Sequence, residues 1–167
     1  MELEHIRKIQ EIYYRSELLH IEVICKNPRS ELEVRCGYFF GLTEPSEDQM
    51  KPPLVTVAYT LDRNWCPKGT KAYPIKDVNS IKLLRPELVP IREIKNNERM
   101  EIRYGGGDES SLITVPGYFL NFVDSEIEIA RALDEHSVPT EREKYLIEKI
   151  FSTRILKPVD LQEILNK

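Results

Sequence analysis

Only three cysteines are spread over the 167 residues, and no two of them form a CxxC pair. So few scattered thiols exclude a disulfide framework and a zinc knuckle. Cys25 and Cys36 read as reduced core residues, and Cys66, in a loop, has no resolving partner for disulfide exchange. No apolar run reaches the ~18 residues that a membrane span needs. The opening segment, MELEHIRKIQEIYY, is charged throughout and lacks the apolar centre of a signal peptide, so the expected compartment is the cytoplasm. A large excess of one charge is also missing. The formal net charge of −4 argues against a broad polyanion-binding surface while leaving room for a local basic face. No GxSxG, HExxH or phosphate-loop lysine occurs, so no nucleophile elbow, zincin helix or Walker site is written here. His5, His20 and His136 fall on separate segments with no ligand spacing, and surface or capping roles are expected for them. No cofactor or metal is expected either.

What is present is an ordinary globular balance, 41% apolar and 31% charged. Leu3, Ile6, Ile9, Ile12 and Tyr13 recur at helical spacing and predict an amphipathic helix over 2–15. The period then falls to two. Leu19, Ile21, Val23 and Cys25 alternate, and after the NPRS turn so do Leu32, Val34, Cys36, Tyr38, Phe40 and Leu42. Gly37 and Gly41 lie on the opposite face of that second strand and mark a bend. LVTVAYTL and the flanks of a polar turn in KAYPIKDVNSIKLL add strands, and RMEIRY, SLITV and PGYFLNFV follow.

Beyond residue 123 the pattern reads as helix. Ser125 with Glu128 and Thr140 with Glu143 fit capping boxes ahead of apolar stripes, and Pro158 suits the first turn of a last short helix. The expected fold is therefore α+β. An N-terminal helix leads into a bent antiparallel sheet or a small barrel of SH3-like or Sm-like architecture, and a helical subdomain follows. The expected domains are 1–123 and 124–167, with a subdivision near residue 90.

Three functional readings arise. The first is a non-enzymatic interaction module, a subunit or adaptor working through protein contacts, self-association included. Its candidate contact residues are Trp65, which inside its loop either packs back on the sheet or anchors a partner, and Leu161, Ile164 and Leu165 on the terminal amphipathic segment. The second is a nucleic-acid-binding regulator, with Lys82, Arg85, Arg92, Lys95, Arg99 and Arg103 tracking a strand's phosphates. The third starts from RYGGGDESS, Arg103 to Ser111. These residues read as a hairpin turn in which glycines take positive φ and Asp and Ser cap the loop. Arg103 to Ser110 also resembles the RYGGDEF hairpin of diguanylate cyclases, with one glycine more and with Ser110 where that family has an apolar residue. The resemblance implies a metal-dependent nucleotide enzyme centred on Gly105 to Glu109.

Overall fold

The computed structural model describes residues 1–15, 18–48, 50–105 and 111–165. Helix α1 (Leu3–Arg15) forms where the stripe places it, and Ile6, Ile9 and Ile12 are buried. Each such side chain contributes roughly 1.5–3 kcal/mol when removed from water. Strand β1 (His20–Lys26) obeys its period of two. Leu19, Ile21, Val23 and Cys25 join the cluster under α1, while His20 and Glu22 turn the other way. Strand β2 (Leu32–Thr43) pairs antiparallel with β1 and likewise serves two faces. Phe39 packs edge-on to Tyr13 of α1 at 5.5 Å, whereas Cys36 and Tyr38 face inward with His20 and Glu22.

The remaining strands are β3 (Leu54–Ala58), β4 (Lys71–Pro74), β5 (Val78–Leu88), β6 (Arg99–Tyr104), β7 (Ile113–Val123), β8 (Glu126–Asp134), β9 (Pro139–Leu146) and β10 (Ile150–Val159). Their order is β4-β3-β2-β1-β5-β10-β6-β7-β8-β9, every pair antiparallel. The sheet closes because β2 divides its second edge. Glu33 and Val34 pair with Asp134 and Leu133 of β8, and Tyr38 to Thr43 pair with β3. The closed ring therefore holds seven strands, with β3 and β4 extending from β2 and with β9 extending from β8. The predicted bend lies at Gly41, whose φ of +127° is open to glycine and strained for other residues. The β2–β3 register shifts there, and the Gln10 side chain of α1 accepts a hydrogen bond from the Leu42 amide at 3.0 Å.

The helical reading of the C-terminal part is corrected. Residues expected in two helices between 125 and 151 form β8, β9, a single 3₁₀ turn (Ile147–Lys149) and the start of β10, and among the described residues of this part α2 (Leu161–Leu165) is the one α-helix. β8 pairs with β7 on one edge and β9 on the other, and it carries buried side chains on both faces. Ile127 and Ile129 join an outer cluster with Met100, Ile102, Val115 and Phe119, and Ala130 joins the barrel interior. Apolar side chains on both faces erase the alternation that marks a half-exposed strand. Glu, Ala, Arg and Leu then read as helix formers, a preference that strand pairing overrides. The supposed capping boxes do other work: Asp124 and Ser125 make the β7–β8 turn, and Glu143 bonds Arg131 and Tyr145. Strands from both sides of residue 123 thus build the same barrel, which makes the molecule mostly β. Among the described residues, no helix is long and apolar enough to cross a membrane.

Candidate functional site

The barrel interior is not simply apolar. Four strands bring polar side chains to one point: His20 from β1, Tyr38 from β2, Glu101 from β6 and Arg154 from β10. The Glu101 carboxylate is 1% exposed. Its Oε2 lies 2.7 Å from His20 Nε2 and accepts the Tyr38 hydroxyl at 2.6 Å. Its Oε1 accepts Arg154 Nε at 2.8 Å and also bonds Arg154 Nη2. Burial drives this carboxyl toward protonation. The bond and charge of His20, with Arg154 and Tyr38, outweigh that, so its pKa lies below the usual carboxylate range. Burial foremost, and the Glu101 charge beside it, push the Tyr38 phenol well up, so it remains a protonated donor.

A second buried carboxylate sits in the same interior. Glu22 accepts Arg99 Nε at 2.7 Å, Arg99 Nη2 at 3.1 Å and the Tyr118 hydroxyl at 2.8 Å. Cys36 lies nearby, its thiol pushed up to about 12 chiefly by burial, which makes it a poor nucleophile. Each carboxylate is therefore matched to one guanidinium and at least one phenol. A buried ion pair needs that full set of partners to persist.

The Glu101 group opens onto a cavity. A pocket of about 680 Å³ lies at the end of the barrel where β1 begins. His20 and Arg154 line it, Leu18, Leu19, Leu84, Pro86, Val159 and Ile164 supply apolar wall, and Arg85 and Glu163 stand at its rim. Trp65, 38% exposed, closes one side. Its loop is built to hold it there. Asp62 Oδ1 accepts the amides of Asn64 at 2.8 Å and Cys66 at 3.0 Å, and Leu61 bridges to Thr114 of β7. Trp65 itself takes φ 63°, a left-handed conformation that costs a non-glycine residue roughly 1–2 kcal/mol. The Arg103 guanidinium stacks 4.0 Å from the indole centre and Arg154 lies 5.5 Å from it. Arg103 also donates to the Arg63 carbonyl at 3.2 Å.

The residues singled out from sequence are distributed unevenly. Trp65 and Ile164, far apart in the chain, line this same pocket. Leu161 packs with the α1 cluster, and the side chain of Leu165 lies outside the described residues. Of the basic six, Arg85 stands at the pocket rim and Arg103 behind Trp65. Arg99 turns into the barrel to Glu22, and Arg92 lies 5.8 Å from the Phe122 ring. Lys82 and Lys95 are exposed on β5 and in the loop before β6. Of the cyclase-like stretch, residues 106–110 lie outside the described residues. The surface role expected of His20 is corrected, because it is 5% exposed and bonded to Glu101. Glu22, Glu101 and Arg154 carry no sequence motif. Their signal is a charged residue on the inward face of a strand whose other face is apolar, and closure of the sheet is needed to read it.

Among the described residues, no group of three or more His, Cys, Asp or Glu side chains could hold a metal ion. Comparison with known proteins finds no matching family model, no matching curated protein and no matching solved structure.

Proposed function

We propose that this protein is a non-enzymatic binding module, a subunit or adaptor, whose working site is the pocket at the barrel mouth. The observation that carries this reading is the convergence of Trp65 and Ile164 on one cavity of about 680 Å³. That volume lies within the roughly 300–1,000 Å³ typical of small-ligand sites. The wall is largely apolar and the polar groups are few and convergent, the usual composition of a binding pocket. The non-catalytic part of the reading draws on the same list of side chains. Among the described residues, no Ser, Thr or Cys lines the pocket, and His20 and Arg154 are each held in place by a bond to Glu101.

Trp65 is the only tryptophan, so its emission reports on this pocket directly. The neutral dye N-phenyl-1-naphthylamine is expected to bind once per chain and to quench Trp65 as it saturates. Ile164→Glu, which sets a charge in the apolar wall, is expected to weaken that binding about tenfold or more. Absence of saturable binding, or binding indifferent to Ile164→Glu, would overturn the proposal.

The nucleic-acid reading has one observation in its favour, the stack of Arg103 on Trp65 beside Arg85 at the rim. It expects a single-stranded oligonucleotide to bind with steep salt dependence and to lose affinity on Arg103→Ala. Binding that is absent at low salt would end it.

A further inference from the structure

We infer that the pocket selects ligands with an apolar body and a single negative charge, the acid group seated on Arg154 and Arg85. This deepens the binding reading and rests on it. The inference starts from donors left over after the interior network is made. Arg154 spends Nε and Nη2 on Glu101, and no described residue bonds its Nη1. His20 spends Nε2 on Glu101. Both side chains line the cavity, His20 while only 5% exposed. The site therefore holds a guanidinium edge whose orientation is already fixed by Glu101. Preorganised donors of this kind spare a ligand the cost of ordering them.

The charge count selects the valence. Behind the floor Glu101 is shared by Arg154 and His20. Arg85 at the rim forms no ion pair with a described residue, and Glu163 stands opposite it in charge at the same rim. Arg103, stacked on Trp65, adds one further positive charge close to the cavity. The balance is a small positive excess. It compensates one acid group, while a dianion or a polyanion would bring uncompensated charge against Glu163 and Glu101. An acid group taken out of water unpaired would cost several kcal/mol, so the paired floor decides where it sits. The apolar wall and the Trp65 face then take the body.

The test is a matched pair of dyes titrated by calorimetry at low salt, where surface charges are least screened. N-Phenyl-1-naphthylamine and 1-anilinonaphthalene-8-sulfonate share one body and differ by the acid group. The sulfonate is expected to bind at one site about tenfold or more tightly than the neutral dye. Arg154→Gln is expected to abolish that advantage while keeping the neutral dye bound. Because Arg154→Gln also strips Glu101 of its partner, Arg85→Gln is measured beside it. Arg85 is exposed, so this change leaves the fold intact and is expected to lower the advantage severalfold.

Competition by dodecanoate and by 2-naphthoate distinguishes a chain-bodied from a ring-bodied acid, and either one displacing the dye supports the inference. Adenosine monophosphate, a dianion, is expected to compete poorly. Equal affinity for the two dyes, an advantage untouched by both arginine variants, or stronger competition by the dianion would overturn the inference and leave the pocket reading standing. Failure of both dyes to bind would remove the pocket reading and this inference together.

Discussion

Glu101→Ala is expected to destabilise the protein by about 3–5 kcal/mol, the range for removing one partner from a buried ion pair. In a chain of this size that corresponds to a fall in Tm of roughly 6–20 °C. Three neighbours lose their acceptor at once. The His20 ring and the Tyr38 hydroxyl have no other described partner for the atoms involved, and Tyr38 is fully buried. Arg154 is less exposed to loss, because its side chain keeps 22% of its surface and can hydrate through the mouth. Glu101→Gln keeps the shape and one acceptor, and is expected to cost less than the alanine variant.

The pH dependence follows in sign. The folded pKa of Glu101 is depressed, so its contribution is complete at neutral pH and is lost as the pH falls through that depressed value. The alanine variant should therefore show a shallower acid limb than the parent. Urea unfolding across pH measures both effects. A loss under about 0.5 kcal/mol, the size of an ordinary surface change, would contradict the geometry.

Gly117→Ala is the second large effect, and it acts on the wall rather than on the network. A Cβ built at Gly117 would lie 2.6 Å from the Ala130 carbonyl oxygen, a backbone atom of the paired strand β8. Side chains can turn away from such a clash and a paired backbone cannot. The strands must separate where Tyr118 and Ala130 pair, next to the phenol that bonds Glu22. Overpacking of this kind costs typically about 1–3 kcal/mol. The expected record is a lower denaturation midpoint together with faster amide exchange in β7 and β8. Gly69→Ala is a useful contrast. A Cβ there meets nothing within 4 Å, and its φ of +87° is the only strain. Equal stability of Gly117→Ala and the parent would place β7 and β8 further apart than described.

These effects share an origin in how two-faced strands are read. In β1 the alternation Leu19, Ile21, Val23, Cys25 is legible because the polar His20 and Glu22 interleave with it. The natural inference from sequence is that those polar residues face water. They face a closed interior instead, and nothing local distinguishes the two. Closure depends on the pairing of Glu33 and Val34 with Leu133 and Asp134, about a hundred residues apart in the chain. That pairing also explains the misread C-terminal part. β8 opens on EIEI with a clean period of two, Ile127 and Ile129 on one face. Held between β7 and β9, it carries Ala130 and Ala132 inward, and the alanines complete a helical stripe on paper. β9 escapes notice for another reason. TEREK is charged because the strand lies at an open edge, where charge discourages pairing with a further strand.

The candidate site is legible to the same degree. Trp65 stands out as a lone aromatic in a turn-rich loop, and Ile164 as part of an apolar rhythm. Their meeting is a property of the fold. Arg85 and Arg103 lie in a basic stretch whose other members point elsewhere, since alternate residues of a strand leave by opposite faces. Arg99 and Arg103 share the inward parity of β6, yet Arg99 reaches Glu22 in the interior and Arg103 reaches Trp65 at the rim. Position along the barrel axis separates them, and spacing in the sequence does not report it.

Barrel closure is the claim on which the interior network, the mouth pocket and its selectivity all depend, and backbone NMR tests it most directly. The account predicts extended secondary shifts over 126–134 and 139–146, together with through-space contacts from Glu33 and Val34 to Leu133 and Asp134. Helical shifts over those residues, with no contact between the two strands, would contradict it.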